Sequence, residues 1–432
     1  MNTRRDFLTA SAGLATATFL SGLTVPGTSA FGATGGRAGR LRVGLIGCGG
    51  RGTGAAVDLL NASPDVEIVA LADVFQERVE GCASNLAKQE PGVAERARVD
   101  RERCFVGFDS HERLLALKPD IAILATPPHF RPAHFTRAIE AGCHVFFEKP
   151  VAVDPTGIRA VIEAGRKAKE KKLSVVAGTQ RRHERCYHEA VKRVRDGAIG
   201  RVLGARVYWN QGGLWMHNRQ PGWSDMEWQL RNWLYHAWLS GDFIVEQHVH
   251  NLDVAQWFLG STPVRATGMG GRQSRTGADY GHIYDHFAID FEHPEGVTVQ
   301  SYCRQVDGCH GRVEEVIVGT AGTVITSSGR AEIRGADGHV QWKHQGDNPN
   351  PYVEEHRDLV ASITGTGPYM NEAEQIACST LAAIMGRMSA YTGKSLAWAQ
   401  AMNSKLDLSP AKYEMGSLPV AEVAIPGRTP LV

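Results

Sequence analysis

The sequence predicts an α/β protein with two parts: a doubly wound domain on a parallel sheet, then an α/β domain with a large open, mostly antiparallel sheet. Three observations predict it. A glycine-rich loop follows an apolar run at Leu41–Gly54, LRVGLIGCGGRGTG. From Val43 to about Val176, short apolar runs alternate with helical patterns. From Val202 the chain turns strand-rich, with half-buried alternation such as Phe287, Ile289, Phe291.

The totals agree with two domains. At 432 residues one core is too few. The chain is 43% hydrophobic and 22% charged, which argues against disorder. Net charge is +1 with no basic block, so nucleic acid is not an expected partner. No stretch reaches the roughly 18–20 apolar residues of a membrane span. The eight cysteines form no CxxC pair and read mostly as small buried hydrophobes, with Cys303 and Cys309 free or bridged.

Taken in order, Met1–Ala33 reads as a leader. Arg4 and Arg5 precede a mild apolar segment, Ala10–Val25, and small residues offer cleavage after Ala30 or Ala33. The pattern resembles a twin-arginine signal and predicts export of a folded protein to the periplasm. Gly35–Arg40 is a short link.

The first domain, 40–178, opens with the strand Val43–Ile46. Gly47, Gly49 and Gly52 come next, at dinucleotide spacing. The first permits the tight turn, the second admits a pyrophosphate, and the third lets the next helix approach. Gly50 and Arg51 belong to the same loop, and the helix start offers free amides to phosphate. A second strand, Glu67–Leu71, leads to Asp73, placed to bind a ribose. Its charge would repel a 2′-phosphate, so NAD is expected over NADP. The charged stretch Gln76–Arg103 reads as surface helix. Further strands are Ile121–Ala125, His144–Phe147 and Ser174–Ala177, with helices at Pro132–Ala141 and Thr156–Lys171. Carboxyl ends of such strands point at the ligand. Two stand out: Thr126-Pro127-Pro128-His129, expected to line the cofactor, and Glu148-Lys149-Pro150.

The glycine loop, Asp73, the run ATPPHFRPAHFTRAIEAGCHVFFEKP and the chain beyond it resemble the Gfo/Idh/MocA oxidoreductases over about positions 40–395. The resemblance implies a Rossmann domain, an open-sheet domain whose exposed face makes a dimer or tetramer, and Lys149 as a catalytic lysine beside the nicotinamide. Glu148 then shapes the turn. Where family members often carry histidine, this chain has Arg131.

The second domain, 179–395, is entered through AGTQRR. Its expected strands are Ala205–Asn210, Val264–Gly268, His286–Phe291, Val297–Tyr302, Val313–Gly319 and Thr323–Thr326. Glu372–Tyr391 reads as a helix, with Asn371 a cap and Glu374 placed for a capping box. The tail, 396–432, is proline-bearing and irregular. The chemical stretch is Ser240–Asp253, SGDFIVEQHVHNLD. Glu246 and His250 lie one helical turn apart. By the resemblance His250 is the general acid/base, and Glu246 replaces an aspartate that partners Lys149 and substrate. His248, in place of glycine, narrows the pocket. Glu246, His248 and His250 alternate, which in an extended chain would suit a metal; the family needs none, so no metal is expected. Between the domains, Trp209–Trp238 carries six of nine tryptophans. Trp215, Arg231, Asn232 and Tyr235, with Arg181, are candidates to stack on and bond a sugar.

The expected function is an exported NAD-dependent oxidoreductase of a sugar, sugar derivative or polyol. The alternative is a redox-neutral, NAD-dependent glycoside hydrolase acting through a transient keto-sugar. A non-enzymatic sugar-binding protein on an inherited fold is the third class.

Overall fold

β1 (Leu41–Ile46) starts a six-stranded parallel sheet with β2 (Val66–Asp73), β3 (Cys104–Val106), β4 (Ile121–Leu124), β5 (His144–Phe147) and β6 (Val175–Ala177). The computed structural model describes residues 39–432, so the leader and its twin-arginine reading lie outside the described residues. The strand order is β3-β2-β1-β4-β5-β6. The order reverses between β1 and β4, and ligands bind at such a switch point. β4 is buried along its whole length because both faces are covered. Ile121 and Ile123 pack with Val43 and Leu45 on one face, Ala122 and Leu124 with Ile46 and Phe147 on the other.

The second sheet holds nine strands: β7 (Val202–Gln211), β8 (Arg265–Gly271), β9 (His286–Glu292), β10 (Thr298–Gln305), β11 (Arg312–Gly319), β12 (Gly322–Ser327), β13 (Arg330–Gly335), β14 (Val340–Lys343) and β15 (Leu396–Ala397). Their order is β14-β13-β12-β11-β7-β10-β9-β8-β15. Only β7 and β10 run parallel; every other pair is antiparallel. The inner face is apolar, with Phe287, Ile289, Phe291, Val299 and Cys303 buried.

The helix Ala373–Thr392 lies between this sheet and the nucleotide-side helix Pro155–Glu170, packing on β8 and on that helix. Asn371 Oδ1 accepts from the Ala373 amide at 3.2 Å, but the expected capping box is not formed. The cap residue is Glu372, whose carboxylate instead accepts from the Ala177 amide of β6 at 2.8 Å.

The tail is more ordered than its composition predicts. Trp398–Asn403 is helical, and the chain beyond it touches helices of both domains. The Leu408 amide donates to Asp154 at 2.9 Å, and the Leu418 carbonyl accepts from Gln229 Nε2 at 2.6 Å. Both sheets belong to one compact unit, 40–432.

Candidate active site

The cleft begins where β1 ends. Gly47 has φ +100°, and a Cβ there would stand 2.5 Å from the backbone of Ala125 and Thr126. A Cβ on Gly52 would stand 1.8 Å from the Gly47 carbonyl oxygen, so this glycine seats the Gly50–Ala62 helix against the turn. Gly49 and Gly50 are different. A Cβ on either meets nothing within 4 Å, and both line the cleft. The helix starts with no side-chain cap, so its first amides are left for an anion.

Asp73, at the end of β2, lines the cleft and braces the loop. Its Oδ2 accepts from the Cys48 amide at 2.7 Å and its Oδ1 from the Phe75 amide at 3.1 Å. Burial raises its pKa, and these amides partly offset the rise. An open glycine pair, an uncapped helix start and an acid at the end of β2, all at the switch point, fit a dinucleotide.

Arg51 ties this loop to the Glu148-Lys149-Pro150 turn. Nε donates to Glu148 at 2.5 Å, Nη1 to Asp58 at 3.2 Å and Nη2 to Glu355 at 3.3 Å. Burial alone would lower its pKa; Glu148 and Glu355 outweigh burial and hold it above the ordinary value. Tyr352, under the guanidinium at 4.8 Å, also lines the cleft. Tyr352 and Glu355 sit on Pro351–Thr364, a helix with no motif to announce it.

Thr126 and Pro127 line the cleft after β4. His129 does not line this cleft. It turns to the far side of the same turn, where it bonds the Tyr413 hydroxyl at 2.8 Å and packs edge-on to Trp238. Arg131 is fully buried and gives its guanidinium to the carbonyls of Thr126 and Pro150. Burial without a bonded carboxylate brings its pKa down to about 10, with Glu148 and Glu246 partly offsetting.

Lys149 leaves the end of β5 and crosses to the second domain. Its Nζ donates to the Glu246 carboxylate at 3.0 Å and to the Glu246 carbonyl at 2.6 Å. The two side chains are 14% and 12% exposed, and both face the cleft. Glu246 and His250 are not on one continuous helix. Glu246 ends Phe243–Glu246 and His250 stands in the first turn of Val249–Leu259, with a break at Gln247-His248. His250 still reaches the cleft wall and stacks on Trp209 with ring centres 5.8 Å apart. Its Nδ1 is buried without a partner, so the ring addresses the cleft through Nε2. Burial, then the cations of Lys149, Arg181 and Arg51, hold it well below the usual histidine range, and the ring stays neutral.

The break explains why His248 does not narrow the cleft. It points into the core and bonds the Ser301 hydroxyl at 2.8 Å, with burial pushing its pKa down to about 3. Glu246, His248 and His250 therefore do not converge. Among the described residues no three His, Cys, Asp or Glu side chains are grouped to hold a metal. All eight cysteines are free, Cys303 and Cys309 included.

Of the carbohydrate-contact candidates, Trp215 and Arg231 line the cleft. Arg231 stands at the Asp73 end, 4.0 Å over the Phe75 ring and 2.6 Å from Glu77. Asn232, Tyr235 and Arg181 lie behind the wall. Asn232 clamps the His217 backbone by two 2.7 Å bonds, and the Tyr235 hydroxyl donates to the Trp215 carbonyl at 2.8 Å. Arg181 pairs with buried Glu315 and supports the Trp209 ring at 5.5 Å. A buried guanidinium or amide requires partners, and here the protein itself supplies them. Residues that no sequence motif singles out as contacts also line the cleft: Gln180, Gln247, Trp233, His217 and Phe75. The cavity measures about 660 Å³.

Residues 41–177 match the family described as oxidoreductase family, NAD-binding Rossmann fold, and residues 187–325 match the GFO/IDH/MocA C-terminal domain. The chain is 28% identical over 301 residues to inositol 2-dehydrogenase 4 of Saccharopolyspora erythraea, covering 69% of this chain and 78% of that one. It is 27% identical to 2,7-anhydro-N-acetylneuraminate hydratase of Escherichia coli over 46% of this chain, about half the length of that relative at 49%. An oxidoreductase of Thermotoga maritima shares the fold, with a TM-score of 0.65 at 19% identity over 84% of this chain and 99% of that one.

Proposed function

The chain belongs to the Gfo/Idh/MocA oxidoreductase family, and we propose that it oxidises a hydroxyl carbon of a sugar, sugar derivative or polyol with a tightly held NAD. The observation that carries this reading is the Lys149–Glu246 contact at 3.0 Å, beside His250, in the cleft opened by Gly49 and Gly50. The substrate class is supported by the relatives' names, inositol dehydrogenase among them.

Each residue then has a role. His250 is neutral and takes the hydroxyl proton at Nε2. The Lys149 ammonium stabilises the negative charge that develops on the same oxygen. Glu246 holds Lys149 in place through one carboxylate oxygen. When bound, the nicotinamide supplies the hydride acceptor. Gly47–Gly52 would hold the pyrophosphate, and Asp73 favours an unphosphorylated ribose, hence NAD over NADP.

A second reading is a redox-neutral cycle in which oxidation is transient and bond cleavage or hydration intervenes. The hydratase relative favours it. So does the leader, if Arg4 and Arg5 direct export, because an exported enzyme must reuse its cofactor in place. A homo-oligomer built on the outer face of the nine-stranded sheet is supported by exposed Leu203, Met269 and Tyr302.

The test is absorbance at about 340 nm of the purified protein, titrated with free sugars, polyols and glycosides, with products identified by mass spectrometry. A lasting band with a keto product supports the dehydrogenase. Cleavage or hydration without a lasting band supports the redox-neutral cycle. Absence of any dinucleotide, bound or bindable, overturns both.

A further inference from the structure

Gln247 occupies the break between the two short helices, next to Glu246, and lines the cleft. An amide of this kind could show a ligand either an acceptor or a donor. A buried chain of hydrogen bonds decides which. Arg275 Nη1 donates to Gln305 Oε1 at 2.5 Å, and Gln305 Nε2 donates to Gln247 Oε1 at 2.5 Å. A guanidinium has donors only. Gln305 must therefore turn its oxygen toward Arg275, which leaves its nitrogen for Gln247. Gln247 must then turn its own oxygen away from the cleft. Arg275 and Gln305 are 5% and 2% exposed, so flipping an amide would face donor against donor in a site sheltered from solvent. Arg275 is fixed in turn: its Nη2 donates to the Tyr284 carbonyl at 3.0 Å. The group left over is Gln247 Nε2, which has no partner among the described residues.

We propose that Gln247 is a specificity-determining residue. It is locked as a hydrogen-bond donor and selects substrates that carry an unprotonated oxygen near the reacting hydroxyl. The carbonyl of an acylamino group, or a carboxylate, meets the need directly. A hydroxyl can accept from it but must place its own proton elsewhere. An ammonium has nothing to accept with and is rejected. Gln305 and Arg275 act as positioning residues, through Gln247. The proposal rests on the sugar or polyol reading above and names the substituent chemistry of that substrate.

The relay can be inverted without touching the cleft. In Gln305→Glu the new carboxylate still pairs with Arg275, so the fold keeps its buried cation satisfied. A carboxylate only accepts, so Gln247 must turn Nε2 toward it and its own oxygen into the cleft. The assay compares kcat and KM for sugars that differ at one carbon: acetamido, hydroxyl and amino forms of the gluco and galacto series. The wild-type protein is expected to prefer acetamido over ammonium by about 10- to 100-fold in kcat/KM. Gln305→Glu should abolish or reverse that preference with kcat on the hydroxyl sugar within about threefold. Gln247→Glu should reverse it as well. An unchanged ratio in both variants, or no preference in the wild type, overturns the proposal. Binding is read separately by tryptophan fluorescence, since Trp209 lies on the cleft wall. If no sugar of the panel drives hydride transfer, the functional reading fails on its own. Ranked binding that Gln305→Glu inverts would still uphold the donor, and unranked binding would overturn it.

Discussion

Gly49→Ala separates cofactor binding from folding at the loop. The residue has φ −71° and ψ −175°, which any L-residue adopts, and a Cβ there meets nothing within 4 Å. Stability in the absence of cofactor should therefore change by no more than about 0.5 kcal/mol. The same Cβ enters the space assigned to the pyrophosphate. A methyl forced against groups that cannot yield costs about 1–3 kcal/mol, or about 5- to 150-fold in Kd. Gly52→Ala should do the reverse. Its Cβ falls 1.8 Å from the Gly47 carbonyl oxygen, a backbone atom that no rotamer change can move. The helix must shift outward, at about 1–3 kcal/mol of strain. Alanine's better helix propensity returns at most about 1 kcal/mol of this. Urea unfolding of cofactor-free protein measures the first quantity, and titration with NADH fluorescence the second. A Gly49→Ala protein that binds dinucleotide as tightly as the wild type would refute the placement of the phosphates on this loop.

Lys149→Ala should lower kcat by about 10²- to 10⁴-fold while dinucleotide affinity stays near the wild-type value; turnover retained at the wild-type rate would remove Lys149 from the chemistry. The acid limb of kcat/KM should fall well below pH 6.5, because burial and three nearby cations keep His250 unprotonated as pH drops; a limb at or above 6.5 would remove it as the base. Stability should decline as pH falls below about 6.5. His134, His236, His248, His250 and His356 have lowered folded pKa values, so the unfolded chain binds the extra protons, at up to about 1.4 kcal/mol per pH unit for each. Asp242, raised to about 6, and Glu355 work the other way and reduce the slope; a midpoint unchanged between pH 7 and pH 5 would contradict the balance. His183 has the opposite sign to those histidines. Burial lowers it, but Asp358 and Glu372 bring it up to about 10, so its contribution is full below pH 6.5 and is lost as pH rises through 10.

The parts of this fold that were legible in the sequence are those set by local physics. The glycine loop announces itself because Gly47 needs positive φ and Gly52 needs no Cβ. Lys149 is legible because it follows, after Glu148, the short apolar run Val145–Phe147, which suits a buried strand. β3, β13 and β14 left no such trace. β3 has three half-buried residues, and β13 alternates Arg330, Glu332 and Arg334, with Glu332 buried and paired to both arginines, a charged alternation that reads as a polar loop. The site was legible in residue types but not in direction. Glu246, Gln247, His248 and His250 are close in sequence, yet a break after Glu246 sends His248 to Ser301 and Gln247 to the cleft. The short helix that carries Glu246 starts at Asp242, at φ +71° and held by the Phe243 and Tyr284 amides and the Tyr391 hydroxyl. Two of those three contacts come from distant segments, so no local pattern could have fixed the turn.

The roof of the cleft bears on the choice between net oxidation and a redox-neutral cycle. Met226, Leu230, Trp238 and Leu239 form one apolar cluster, joined by Phe75, Phe108 and Phe130 from the nucleotide side and by Leu408 and Leu418 from the tail. These residues bridge the Asp73 end of the cleft, where Arg231 also reaches across to Glu77. Burying one large apolar side chain contributes about 1.5–3 kcal/mol. Lifting the roof would expose several at once, whereas the exposed half of the Arg231–Glu77 pair adds little. Release of a dinucleotide that required this opening would carry that cost at every exchange. An enzyme that discharged its reduced cofactor after every turnover would be limited by that opening. One that returns the hydride before product leaves would not, and a cleft bridged at its Asp73 end by three separate segments suits the second cycle better than the first.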